Sequence, residues 1–108
     1  MAHYVMLSTL SESGRKVIRE RPGWIRKVNR ELAGKGVEVL AQYALLGPYD
    51  FVTIVEAPDN ETVSSISIEL GARGSVQMMT MPAIPLDTFI NRLKPRGGAA
   101  AGRRRKAS

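Results

Sequence analysis

Tyr49 and Asp50 stand directly behind Gly47-Pro48 and directly ahead of Phe51-Val52-Thr53-Ile54-Val55-Glu56. Glycine takes backbone conformations closed to other residues, and proline holds φ near the value a turn needs. The segment therefore reads as a turn feeding a strand, with a phenol and a carboxylate at one end of a sheet. A phenol can donate or accept a hydrogen bond, and a carboxylate accepts or acts as a base. Turn-flanking aspartates also bind nearby backbone donors, so Asp50 is expected to be structural first and functional second. Tyr4 and Tyr43 add two phenols on neighbouring predicted strands, and Ser8, Gln42 and Thr53 add polar groups among apolar ones. A mostly apolar cavity with few polar groups is the usual form of a small-ligand site, so these seven residues are the candidate pocket set.

Other chemistries find less support. His3 is the sole histidine and cysteine is absent, so no ligand spacing for a metal exists and no metal or cofactor is expected. The serines sit in cap and helix positions without a Gly-x-Ser-x-Gly context. Gly71-Ala72-Arg73-Gly74 follows a predicted helix, whereas phosphate loops precede one. The net charge of +6 is unevenly placed: Lys94, Arg96, Arg103, Arg104, Arg105 and Lys106 carry the excess, and residues 1–93 hold ten basic and ten acidic residues. Arg103, Arg104, Arg105 and Lys106 are the candidate polyanion contacts. With no aromatic residue among them, binding there would be salt-dependent and blind to sequence.

The elements that must position these residues follow from periodicity. Residues 3–10 alternate as a strand. Residues 12–34 are helical in two pieces broken at Pro22, with Val17, Ile18, Trp24, Ile25, Val28 and Leu32 forming an apolar stripe that ends at Gly34-Lys35-Gly36. Strands at 37–45 and 49–56 make an antiparallel hairpin, and Asp59 caps a helix running to about Leu70. A fourth strand at 75–82 and a short helix at 86–93 complete a domain of residues 1–93. Residues 94–108, rich in Gly, Ala and Arg, are expected to be a disordered basic tail.

The order βαββαβ plus a terminal helix is a ferredoxin-like α+β arrangement with a four-stranded antiparallel sheet. A solvated sheet face should be polar, yet both faces here are apolar. Val5 and Leu7 oppose Tyr4, Met6 and Leu10; Val52 and Ile54 oppose Tyr49, Phe51 and Val55; Met79 and Met81 oppose Val76 and Met78. At ~25 cal/mol per Å2 a wet apolar face forfeits much of a small domain's stability, so the open face is expected to be buried in a homodimer or higher oligomer.

The chain resembles the GYD domain family. The resemblance spans residues 3 to about 93: a tyrosine in the first strand, Gly14 and Pro22 in the first helical region, Gly47-Pro48-Tyr49-Asp50-Phe51, and Ala57-Pro58-Asp59-Asn60-Glu61-Thr62. It implies a dimeric α/β-barrel arrangement in which two sheets pack face to face, and it names no substrate. If the Tyr49, Phe51 and Thr53 row faces the partner, Tyr49 lines a cavity between the sheets. The expected function is that of an oligomeric small-molecule-binding or accessory and regulatory protein, with a small apolar or aromatic ligand. The alternatives are a cofactor-free enzyme of oxygenase or isomerase type with its site between the sheets, and a nucleic-acid accessory protein acting through the tail. The expected setting is the cytoplasm, with no membrane partner, because no transmembrane run or signal peptide is legible.

Overall fold

The computed structural model describes residues 1–95. The polyanion candidates Arg103, Arg104, Arg105 and Lys106, and all but two residues of the expected tail, lie outside them. The elements run β1 (Ala2–Leu10), α1 (Glu12–Glu20), α2 (Trp24–Gly34), β2 (Glu38–Ala44), β3 (Phe51–Ala57), α3 (Asn60–Ala72), β4 (Val76–Ala83) and α4 (Leu86–Leu93). The four strands form one antiparallel sheet in the order β2-β3-β1-β4. This is the expected α+β ferredoxin-like architecture.

Local chemistry explains where the elements begin and end. The Ser11 hydroxyl accepts the Gly14 N–H at 3.1 Å and caps α1, while Asp59 accepts the Thr62 N–H at 2.8 Å and caps α3. The Pro22 break separates α1 from α2, so the apolar stripe runs over two helices rather than one. α2 stops in a Schellman turn: the Val37 N–H returns to the Leu32 carbonyl at 2.9 Å and the Gly36 N–H to the Ala33 carbonyl at 3.1 Å. That turn delivers Val37 and Leu32 together into the core. Gly14 sits where α1 crosses the entry to β4, and a Cβ there would collide with the Ser75 carbonyl oxygen.

The core lies between one sheet face and the helices. Tyr4, Met6, Val55 and Ala57 from the sheet meet Leu32 of α2 and Val63, Ile66 and Leu70 of α3. Burial alternates along β1, with Tyr4, Met6, Ser8 and Leu10 inside and the residues between them half-buried. The register carries Val5, Leu7, Val52, Ile54, Met79 and Met81 to the opposite face, where no helix among the described residues packs. Between Val39 and Ala41 the β2–β3 register shifts, so Leu40 is an extra residue with no partner on β3.

Candidate functional site

The seven pocket candidates divide among four places. Ser8, Gln42 and Thr53 meet on the helix side of the sheet in a cavity of about 60 Å3 that Trp24, Ile25 and Val28 of α2 close. Thr53 is 4 % and Ser8 8 % exposed. A polar chain crosses this cavity: Asn29 Nδ2 donates to Gln42 Oε1 at 2.8 Å, and Gln42 Nε2 donates to Thr53 Oγ1 at 3.0 Å. Buried amides and hydroxyls need such partners, and a satisfied chain holds α2 in register on the sheet. Ligand sites usually enclose about 300–1,000 Å3, so a space this small suits a water or two and not a metabolite.

Tyr4 and Asp50 join elements. The Tyr4 hydroxyl, on a side chain 2 % exposed, donates to Asn60 Oδ1 at 2.5 Å in the first turn of α3. Asp50 uses three groups at once. Its carboxylate Oδ2 accepts the Leu10 N–H at 2.7 Å, its own N–H donates to the Ser8 carbonyl at 2.8 Å, and its carbonyl accepts the Leu45 N–H at 2.8 Å.

Tyr43 and Tyr49 belong to the open face. Tyr43 pairs with Val52 across β2 and β3 and is 64 % exposed. The Tyr49 hydroxyl lies 3.9 Å from Met79 Sδ. Tyr49 therefore does not share the side of Phe51 and Thr53, which turn to the helices. The alternation of side chains holds only inside a strand, and β3 begins at Phe51. Gly47, at φ +125, sends the preceding loop through a conformation that breaks the parity. The open face thus carries Val5, Leu7, Val52 and Ile54, whereas Phe51 and Thr53 of the row expected there face the helices. One end of this face is polar, with His3 Nε2 and Glu56 Oε2 at 3.7 Å. Among the described residues no cluster of His, Cys, Asp and Glu has the makings of a metal site, and no helix is long and apolar enough to cross a membrane.

Two residues outside the candidate set complete these arrangements. Asn29 was legible as a polar residue set between Val28 and Leu32 of the apolar stripe. Asn60 had no such signal, because its bond to Tyr4 spans 56 positions.

An antiparallel βαββαβ sheet with helices on one face and a bare apolar face on the other defines a ferredoxin-like domain. Residues 4–93 match the GYD domain model, and the chain belongs to that family. A Thermus thermophilus protein named glutamine synthetase and cystathionine beta-lyase binding protein is 48 % identical over 95 residues, covering 87 % of this chain and 100 % of the relative. Among solved structures, MtbAldR superposes with a TM-score of 0.61 and 26 % identity over 92 % of this chain, which spans 56 % of MtbAldR. FFRP-DM1 superposes with a TM-score of 0.52 and 23 % identity, covering 78 % of this chain and 100 % of that one, a likeness of fold.

Proposed function

We propose that this chain is an accessory protein that acts by binding other proteins, as a dimer closed through its open sheet face. The observation that carries the reading is the row Val5, Leu7, Val52, Ile54, Met79 and Met81, apolar across three adjacent strands and uncovered by any helix of the described residues. Contiguous apolar surface of this kind marks a protein interface. The T. thermophilus relative, named for binding two enzymes, supports the accessory role. The cavity of about 60 Å3 around Ser8, Gln42 and Thr53 is too small to hold a metabolite. We place the protein in the cytoplasm, a setting compatible with a chain that lacks cysteine.

The test uses the purified full chain with glutamine synthetase and cystathionine β-lyase purified from the same organism. Biolayer interferometry should give saturable binding to at least one of them, and sedimentation of the chain alone should give twice 11.8 kDa. A monomer that binds neither enzyme defeats the proposal.

A further inference from the structure

The last helix carries a second uncovered apolar surface. Leu86, Phe89, Ile90 and Leu93 fall at the i, i+3, i+4, i+7 spacing of one helix face, and none of them is buried. At the opposite edge of the sheet, Leu40 and Tyr43 of β2 are also exposed. The bulge at Leu40 and the placing of Tyr43 beside Val52 set both next to the open face.

These two surfaces lie at opposite edges of the sheet. β2 and β4 are the two edges of the sheet, separated by β3 and β1, so three strand spacings put them ~14 Å apart. Only Ile84 and Pro85 separate β4 from α4, and Pro85 holds φ −53 and ψ 138, an extended link that leads away from the strand end. A two-fold axis parallel to the strands, lying between two facing sheets, sets the β4 edge of one copy over the β2 edge of the other. Each α4 then lies beside the partner's β2.

Interface size points the same way. Four strands ~4.8 Å apart and ~7 residues long give a sheet face of about 440 Å2, so two faces bury roughly 880 Å2. Stable interfaces need about 1,000 Å2 or more. An eight-residue helix presents a strip ~12 Å by ~10 Å. Two such strips and the surfaces they cover bring the total to roughly 1,400 Å2, inside the standard range.

We propose that α4 is an exchanged arm: its Leu86-Phe89-Ile90-Leu93 face docks on the Leu40 and Tyr43 edge of a second copy of this chain. The proposal rests on the sheet-to-sheet dimer above and adds a contact that dimer does not require.

The chain has no cysteine, so engineered thiols report contacts cleanly. The double variant Phe89→Cys/Tyr43→Cys, oxidised in the full chain, should run as a covalent dimer on a non-reducing gel. A bridge within one chain, or no bridge, overturns the arm. Sedimentation separates the two readings. Phe89→Glu/Ile90→Glu changes exposed helix positions and should weaken the dimer roughly tenfold or more with the far-ultraviolet circular dichroism unchanged. Ile54→Glu, at the centre of the sheet face, should give monomer. If Ile54→Glu is monomeric while the α4 variant dimerises as the parent does, the arm is wrong and the sheet dimer stands. If Ile54→Glu leaves the dimer intact, both fail.

Discussion

Asp50 Oδ2 accepts the Leu10 backbone N–H at 2.7 Å across 40 positions of sequence. β1 continues past the start of β3, whose first residue Phe51 pairs with Ser8. Beyond that pair the end of β1 has no backbone partner on the β3 side. Asp50 supplies one with its side chain and holds the β2–β3 loop through its own amide and carbonyl. Asp50→Ala removes the acceptor and leaves a poorly solvated N–H at Leu10, and Leu10 is 9 % exposed. The expected loss is ~1.5–3 kcal/mol, the range for a hydrogen bond to a charged group. Urea unfolding checks it. An unchanged midpoint together with loss of partner binding would assign Asp50 to the interface instead.

Gly14 of α1 lies against the Ser75 carbonyl at the entry to β4. A methyl group there meets the Ser75 carbonyl, a backbone atom that cannot swing aside as a side-chain tip would. The same carbonyl accepts the Ser11 N–H at 2.9 Å, so pushing it away also loosens the α1 cap. Gly14→Ala should cost ~2 kcal/mol or more by overpacking, against the gain an exposed helical glycine shows on the same change. Thermal unfolding of Gly14→Ala beside Gly34→Ala separates the two effects, since nothing lies within 4 Å of a Cβ at Gly34.

Much of this architecture was legible in the residues. Alternation in β1, the Pro22 break, the Gly34-Lys35-Gly36 stop and the Asp59 cap each depend on neighbours within a few positions, and α4 keeps the bounds 86–93 that its spacing predicted. The inner face was harder to read. With Val5 and Leu7 as apolar as Met6 and Leu10, a binary pattern cannot choose between the faces, and the choice falls to where α2 and α3 dock. The bulge at Leu40 shifts the register, so side-chain parity could not be carried along β2 by counting. Strand parity misplaces Tyr49 because that residue lies in the turn. The Asn29-Gln42-Thr53 chain and the Tyr4–Asn60 bond depend on tertiary contacts that no local pattern encodes.

The Tyr4–Asn60 bond ties the centre of the sheet to the start of α3. Tyr4→Phe keeps the ring in the core and removes only the donor, and Asn60 is exposed enough to turn to water. The expected cost is therefore small, ~0.5–1.5 kcal/mol. Tyr4→Ala removes the ring as well, with an expected cost of ~3–5 kcal/mol. If Tyr4→Phe costs as much as Tyr4→Ala, the hydroxyl does more than pin α3.

Asp59 offers a test by pH. Its carboxyl is held below the ordinary aspartate range by hydrogen bonding from the Thr62 side chain and from the Thr62 N–H at the first turn of α3. A folded-state value below the unfolded one means that the unfolded chain binds the proton more readily. The stabilisation is complete above the unfolded value and is lost as pH falls through the folded one. Asp59→Asn still caps the helix but does not ionise, which isolates the charge. The melting temperature of the parent should exceed that of Asp59→Asn at neutral pH. The gap should narrow below about pH 4 as the cap protonates. The Glu31–Arg73 pair, which also lowers a carboxyl value, is present in both proteins and cancels in the difference. Because Asp59 lies at the surface, added salt should shrink the gap at neutral pH. A gap that widens on acidification would show that the charge at Asp59 opposes the helix it caps.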